Sequence, residues 1–176
     1  MDQHVTITHL EMTSPADAVP FTRERRLDVR RAEVPSPELS RWLYVAVGGD
    51  WWWHTRLVWD REDWLEWLDR PEVETWVGYF AGTPVGYFEL EAQPGDQVEI
   101  MYFGLLPSFI GRGFGSELLS AAVARAWQVA KRRVWVHTCS LDHPSALANY
   151  QARGFRIFEV EERLEDLPDD RPSLWC

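Results

Sequence analysis

Cysteine is scarce in this 176-residue chain, which carries only Cys139 and Cys176. Two cysteines cannot build a disulfide framework of the kind found in small secreted domains, so we expect none. Long apolar runs are absent too: no stretch reaches the roughly 18 apolar residues of a membrane-spanning helix, so we expect no membrane partner. The first residues carry neither a basic start nor an apolar segment, which predicts no secretory signal and a cytoplasmic location.

Positive charge is also in deficit. The formal net charge is -10 at pH 7, and the isoelectric point is near 4.9. Such a field repels polyphosphate backbones, so we expect no nucleic-acid partner, whereas a cationic substrate is compatible with it. Lys131 is the one lysine among 18 basic residues, and we interpret that bias as a signature of genome composition.

Tryptophan is the residue in excess. Eleven occur in the chain, and three of them are adjacent at residues 51–53. Two interpretations stay open for the segment from Trp42 to Trp67, where most of them lie. We favour a bulky aromatic layer that packs helices onto a sheet. The alternative is an aromatic wall for a substrate, with a cation over a ring face.

Hydrophobic periodicity predicts one domain with the element order β, β, α, α, β, β, β, α, β, α, β, in a mixed sheet with helices on its faces. Turn residues divide the middle of the chain into three consecutive antiparallel strands. The predicted strands are residues 5–8, 27–32, 74–80, 84–92, 98–106, 133–137 and 155–160. The predicted helices are residues 37–47, 60–68, 113–130 and 144–153. Residues after 161 are acidic and predict a surface tail.

A glycine-rich segment, Phe-Ile-Gly-Arg-Gly-Phe-Gly at residues 109–115, opens the long third helix. A dinucleotide fingerprint would need glycine at Ser116 and an acid after the next strand, where His-Thr-Cys stands, and a P-loop would need a lysine. Glycines at a helix N-terminus leave backbone N–H groups open to an anion, and Arg112 adds positive charge. A diphosphate fits this description, and a purely structural loop stays open.

Two motifs together resemble the GNAT superfamily of acetyl-CoA-dependent N-acetyltransferases. Residues 110–115 fill the family's loop pattern Arg/Gln-x-x-Gly-x-Gly/Ala, with Ile110 where Arg or Gln is usual. Residues 146–155 match the family's helix pattern Ala-x-x-x-Tyr-x-x-x-Gly-Phe at every fixed position. His143 stands where the family usually has asparagine. The resemblance covers roughly residues 73–160.

The resemblance implies a single α+β domain, a mixed α/β architecture whose twisted, mostly antiparallel sheet splays at the family's fourth strand, with helices on both faces. We expect the splay, and a bulge, near Gly104. Residues 1–72 would supply N-terminal strands and substrate-side helices, 73–160 the acetyl-CoA-binding core, and 161–176 a tail. A homodimer is a further expectation.

The resemblance also implies acetyl-CoA as co-substrate and no metal. Direct attack of an amine on the thioester needs a base and an acid. We expect Glu99 as the base and Tyr150 as the acid, with Glu89 or Glu91 as a relay through water; a cross-strand pair for Glu99 and a core position for Tyr150 are the alternatives. The expected cofactor-binding residues are Leu105, Leu106, Gly111, Arg112, Gly113, Phe114, Gly115, Ser116 and His143.

The acceptor is expected against the first two helices and the loop between them. Trp52, His54 and Glu91 are the candidate substrate contacts, and the acceptor would be a small-molecule or peptide amine, most simply a cationic one. His137 and Cys139 show no metal-ligand spacing and no nucleophile arrangement, so we expect them to be structural. A catalytically silent acyl-CoA-binding sensor or interaction module is the alternative function.

Overall fold

Within residues 1–174, which a computed structural model describes, seven strands form one sheet and four helices flank it. The strands are β1 (Asp2–Met12), β2 (Asp28–Arg31), β3 (Val73–Phe80), β4 (Thr83–Gln93), β5 (Gln97–Leu105), β6 (Arg133–Cys139) and β7 (Arg156–Asp166). The helices are α1 (Pro37–Gly48), α2 (Arg61–Leu68), α3 (Phe114–Val129) and α4 (Ala146–Ala152). The predicted single α+β domain is confirmed. No helix in this part of the chain is long and apolar enough to cross a membrane.

The strands lie in the order β2-β3-β4-β5-β6-β1-β7. Every pair in this described sheet is antiparallel except β5 and β6, which run parallel. The prediction of a mostly antiparallel sheet is therefore confirmed. The first strand of the chain lies between the last two, a position that its sequence did not indicate.

The sheet opens into a wedge between β5 and β6. Their ladder runs from Gln97↔Arg133 to Ile100↔Val136, and within the described residues it goes no further. On the other side of β5, the pairing with β4 passes over Met101, which is the extra residue of a β-bulge. The bulge bends β5 at the point where β6 leaves it, so the wedge begins earlier than the expected position near Gly104.

Gly104 has a different role from the bulge that we expected there. A Cβ atom at this position would collide with the side chain of Val47 in α1. The glycine therefore lets α1 lie close against β5.

Helices cover both faces of the sheet, as predicted. On one face, the fully buried Leu118 and Leu119 of α3 pack against Phe88 of β4. On the other face, Leu43 of α1 packs against Tyr87 of the same strand. Tyr87 and Phe88 are neighbours in the chain and point to opposite faces because side chains alternate along a strand. Each such burial stabilises the fold by about 1.5 to 3 kcal/mol.

The helix starts follow from their capping residues. The Ser36 side chain accepts a hydrogen bond from the backbone N–H of Leu39 at 3.3 Å, and Pro37 occupies the first turn of α1. Asp60 and Asp63 form a reciprocal capping box at α2. The fourth helix is shorter than predicted and begins two residues after Pro144.

The two ends of the described chain differ from the sequence prediction. β1 is longer than residues 5–8, and residues 161–166, expected in the tail, continue β7. They pair with β1 from Ile7↔Glu161 to Asp2↔Asp166. Five of these six residues are charged, and both faces of β7 are largely exposed, so the segment lacks the apolar–polar alternation that predicts a strand. Trp175 and Cys176, at the end of the predicted tail, lie outside the described residues.

Candidate active site

A cavity of about 700 Å³ occupies the wedge between β5 and β6. Its wall is formed mainly by the unpaired half of β5, the facing end of β6, the glycine loop, α4 with the segment before it, and the loop after α1. The predicted residues that line it are Trp52, His54, Leu105, Gly111, Gly113, Gly115, Ser116, His143 and Tyr150. The fold thus brings together residues that lie up to 98 positions apart.

The glycine loop presents backbone donors at the start of α3. Gly111 and Gly113 adopt φ values of +78° and +83°, which side chains other than glycine rarely tolerate. Gly113 is the residue that precedes the first turn, and the N–H groups of Phe114, Gly115 and Ser116 have no carbonyl partner within the helix. Together with the helix dipole, these donors fit a diphosphate.

Three of the expected cofactor residues lie outside the cavity wall. The Arg112 guanidinium stacks on the rings of Phe80, Phe109 and Phe114 at 5.1 to 5.9 Å. Phe114 itself is fully buried, and Leu106 packs in the cluster beneath α1. Arg112 and Phe114 can therefore contribute backbone N–H groups to a ligand in the cavity, while their side chains support the loop.

Tyr150 lies in the cavity wall with most of its surface buried. Its ring packs edge-on against Phe103 and Phe155, at centroid distances of 6.0 and 5.9 Å. Its hydroxyl makes no hydrogen bond within residues 1–174. Burial, reinforced by the negative charge of Asp142, raises the pKa of Tyr150 above its ordinary value. The side chain is thus a core residue and a cavity residue at once.

Glu99 lies behind the cavity wall. It is 4% exposed, and one carboxylate oxygen is 3.1 Å from Nδ1 of His137. The His137 side chain is 43% exposed and lines the cavity, so it, rather than Glu99, meets a ligand there. His137, which we expected to be structural, therefore belongs to the site.

The two other candidate carboxylates do not reach the cavity. Both oxygens of Glu89 accept hydrogen bonds from the Arg56 guanidinium, at 3.0 and 2.9 Å, and the pair is buried. Glu91 forms an ion pair with Arg70 at 2.8 Å. Glu89 has neither a free oxygen nor access to solvent, so it cannot relay a proton through water. Glu91 does not line the cavity, so the structure does not support it as a substrate contact.

The tryptophan cluster divides between the two interpretations. Trp51, Trp52 and Trp53 line the cavity, and Trp51 also packs edge-on against His143 at 5.1 Å. By contrast, Trp59 and Trp67 enclose the Arg56 guanidinium, at 4.6 and 4.5 Å from their ring centres. The first group forms an aromatic wall, and the second packs α2 onto the sheet.

The profile of the acetyltransferase (GNAT) family matches residues 36–155, which is more than half of the chain. The chain belongs to the GNAT family. No protein among the curated sequences matches it.

Solved structures with the same fold include other GNAT proteins. A GCN5-related N-acetyltransferase from Sphaerobacter thermophilus is 17% identical, with a TM-score of 0.66. The match covers 96% of this chain and 54% of the Sphaerobacter chain. A Bacillus subtilis acetyltransferase in complex with CoA is 22% identical, with a TM-score of 0.56 and coverages of 76% and 78%. An aminoglycoside acetyltransferase from an uncultured soil metagenomic sample, in complex with sisomicin, is 16% identical, with a TM-score of 0.56 and coverages of 73% and 86%. The chain spans 50% to 64% of the length of the first five structures that it matches.

Sequence reasoning missed one basic residue beside the glycine loop of this GNAT domain. Arg26 donates from Nη2 to the backbone oxygen of Arg112 at 2.9 Å, and its guanidinium lies 4.3 Å from the Phe114 ring centre. The buried Glu117 carboxylate holds this segment, since it accepts the N–H groups of Arg26 and Leu27 at 2.6 and 2.7 Å. The cluster of arginines at residues 23–26 was the available signal, but nothing in the sequence connected it with a loop 86 positions away.

Cys139 lies in the GNAT cavity wall without the features of a nucleophile. Burial raises the pKa of its thiol to about 11, with Asp142 adding to the effect, so the thiol stays protonated at neutral pH. Among residues 1–174, no three His, Cys, Asp or Glu side chains are grouped so that they could hold a metal ion.

Proposed function

We propose that this GNAT domain transfers an acetyl group from acetyl-CoA to a primary amine of a small molecule or peptide by direct attack. The observation that carries this proposal is the cavity in the β5–β6 wedge. Its wall combines the glycine loop, Tyr150 and the aromatic segment at residues 51–54. A cavity of about 700 Å³ is within the range of small-ligand sites.

The cofactor side of the proposal rests on backbone groups. The N–H groups of Phe114, Gly115 and Ser116 would hold the pyrophosphate, and His143 lines the same cavity. The β5 backbone at residues 101–105 is unpaired on its β6 side, so it can accept a ligand that extends the sheet. When bound, acetyl-CoA supplies an activated thioester.

Tyr150 is the proposed acid for the leaving sulfur. Its hydroxyl lies in the cavity wall, and burial raises its pKa, which keeps it protonated at neutral pH but also weakens it as an acid, so the proton must pass to the sulfur as the C–S bond breaks. Glu99, the expected base, is buried and does not line the cavity, so its carboxylate cannot meet the amine directly.

A cationic amine is the proposed acceptor. Asp142 and Glu165 are the two acidic side chains of the cavity wall, and Trp52 and His54 contribute aromatic surface. Carboxylates and ring faces both attract an ammonium group, and the net charge of -10 favours its approach. Because a structural neighbour binds sisomicin, this polyamine belongs in the first set of test substrates.

The test has two stages. CoA is added first, and at 100 times Kd it should stabilise the protein by about 2.7 kcal/mol in thermal unfolding. Release of free thiol from acetyl-CoA is then followed with a panel of sisomicin, tryptamine, ethylenediamine and a lysine-bearing peptide. Absence of stabilisation contradicts the proposal, whereas stabilisation without acetylation of any amine supports the silent acyl-CoA-binding module instead.

A further inference from the structure

His137 and Glu99 form a pair that spans the cavity wall. His137 lies on β6 and lines the cavity, and Glu99 lies on β5 beneath it. The parallel register places Glu99 opposite Trp135, two residues before His137, so both side chains occupy one face of the sheet. Nδ1 of the imidazole is 3.1 Å from a carboxylate oxygen.

A chain of hydrogen bonds fixes the orientation of Glu99. The indole N–H of Trp135 donates to the Gln93 side-chain oxygen at 3.0 Å. That contact turns the Gln93 amide nitrogen toward Glu99, to which it donates at 2.8 Å. The second Glu99 oxygen is left for His137. An ionised carboxylate only accepts hydrogen bonds, so Nδ1 of His137 carries a proton and Nε2 of the neutral ring has a free lone pair.

We propose that His137 is the general base of the transfer reaction and that Glu99 is its positioning residue. Nε2 would take the proton of the acceptor ammonium, while Glu99 holds the ring orientation and tautomer and stabilises the imidazolium that forms. This inference rests on the proposed function. It assigns the contact with the acceptor amine to His137, which the sequence patterns predicted to have only a structural role.

In the proposed step the attacking nitrogen loses two protons, of which one reaches solvent and one replaces the proton that passes to sulfur. The ammonium gives one proton to Nε2 of His137, and the freed amine forms a C–N bond with the acetyl carbon. The C–S bond breaks with its electron pair on sulfur, and the Tyr150 hydroxyl protonates that sulfur. The nitrogen loses a second proton as the amide forms, which restores Tyr150 through water. His137 releases its proton to solvent, so one proton leaves per turnover.

The groups around the imidazole set the pH at which it can act. The hydrogen bond with Glu99 raises the pKa of His137 above 6.5, and burial opposes this shift. Since only the neutral ring takes a proton, turnover should rise with pH through this raised pKa. The charged and titratable groups that face the ring from the surrounding elements are Glu99 on β5, His9 on β1, Asp142 before α4, and Arg163 with Glu161 on β7.

The chain supplies a matched control. His9 lies beside His137, with ring centroids 5.8 Å apart, and pairs with Glu161 at 2.9 Å much as His137 pairs with Glu99. It is not part of the cavity wall. His9→Gln therefore removes a carboxylate-paired histidine from the same face of the sheet, next to His137, while leaving the His137–Glu99 pair in place.

The experiment compares His137→Gln, Glu99→Gln and His9→Gln in the full chain with the amine of the panel that is acetylated fastest. We expect His137→Gln to lower kcat about 100-fold or more, with KM for acetyl-CoA within twofold. Glu99→Gln should lower kcat less and move the acidic limb of the pH profile to lower pH. His9→Gln should stay within twofold of the wild type. NMR titration of the histidine rings should show the His137 pKa above 6.5 and falling in Glu99→Gln.

Each outcome decides the assignment. A His137→Gln variant with kcat within threefold of the wild type overturns the base role, as does an acidic limb that Glu99→Gln leaves in place. Equal losses in His137→Gln and His9→Gln indicate a structural role for both rings and also overturn it. If CoA binds but the wild type acetylates no amine, the proposed function fails, and the base role fails with it even where NMR finds the pair. If an amine is acetylated and only the variants disagree, the function stands without this base.

Discussion

Tyr150 packs in the core, and its hydroxyl is also the proposed acid of the reaction. Its ring is held by Phe103 and Phe155, which fixes the position of the hydroxyl in the cavity wall. Removing the oxygen alone leaves that packing in place, because phenylalanine has the same ring. A loss of rate without a loss of stability would therefore isolate the role of the hydroxyl.

We predict that Tyr150→Phe lowers kcat about 100-fold or more with the fastest amine of the panel, while KM for acetyl-CoA and the unfolding midpoint change little. Because burial raises the pKa of this phenol, no alkaline loss of rate should come from its ionisation below about pH 10. Tyr79→Phe, on β3 and outside the cavity wall, is the control and should retain full activity. Unchanged kcat in Tyr150→Phe would assign the residue to the core alone.

Side-chain partners were the part of the site that the sequence could not supply. Period-two spacing correctly predicts that Glu89 and Glu91 share a face of β4. Their partners, Arg56 and Arg70, come from another part of the chain, and these pairs remove both carboxylates from the cavity. The contact between Glu99 and His137 depends on the register of β5 against β6, which no local pattern encodes.

Among the elements, the glycine loop was predictable because its requirements are local. Glycine itself indicates that the backbone can adopt positive φ values and that the N–H groups at the helix start are not covered by side chains. The loop also offers a matched pair of glycines for a test. Gly113 adopts φ +83° at the cavity, and Gly82 adopts φ +81° in the distant β3–β4 turn.

Gly113→Ala and Gly82→Ala should both destabilise the fold by about 1 to 2 kcal/mol, since each places a Cβ atom in the left-handed region. The added atom at residue 82 meets open space, and that at residue 113 lies 3.4 Å from the Arg26 guanidinium. We predict that only Gly113→Ala weakens CoA binding, by about 10-fold or more, as measured by calorimetry. Equal affinity in the two variants would contradict the assignment of this loop to the pyrophosphate.

The loop between α1 and α2 is anchored to the sheet by a buried ion pair. Arg56 binds both oxygens of Glu89, and Trp67 donates its indole N–H to the same carboxylate at 3.0 Å. The aromatic residues at 51–54 belong to this loop, so the pair fixes the side of the cavity that is proposed to bind the acceptor. A carboxylate left alone in this aromatic surrounding would be costly.

Arg56→Met should therefore destabilise the protein by about 3 to 5 kcal/mol in urea unfolding, because it leaves Glu89 buried and uncompensated. Adding Glu89→Gln removes that charge and keeps an oxygen for the Trp67 indole. We expect the double variant to recover most of the loss. A double variant that is no more stable than Arg56→Met would show that packing, rather than buried charge, dominates at this position.

For the molecule as a whole, long-range pairing limits what a sequence can predict. The meander β3–β5, α3 and α4 follow from hairpins, caps and motifs that are close in sequence. The place of β1 does not, because it lies between two strands from the C-terminal third of the chain. Val5, Ile7, Leu10 and Met12 of β1 are all buried, and the last two belong to the main core.

A fragment that begins at residue 36, where the match to the family starts, should not fold on its own. It lacks β1, whose four buried side chains contribute about 6 to 12 kcal/mol, comparable with the total stability of an ordinary domain. Circular dichroism and denaturant unfolding would check this, with a chain that ends at residue 167 as the control, since it keeps every strand. Cooperative unfolding of the shorter fragment would contradict the prediction.

The wedge divides the sheet into two leaves, β2–β5 and β6–β1–β7, joined by a parallel seam of four residue pairs. This short ladder allows the two leaves to move relative to each other, and a ligand that contacts both leaves would restrict that motion. Amide hydrogen exchange should therefore slow along residues 101–105 when CoA is added, while the antiparallel ladder between β1 and β7 keeps its rate. Binding of CoA would then make the sheet more rigid than it is in the free protein.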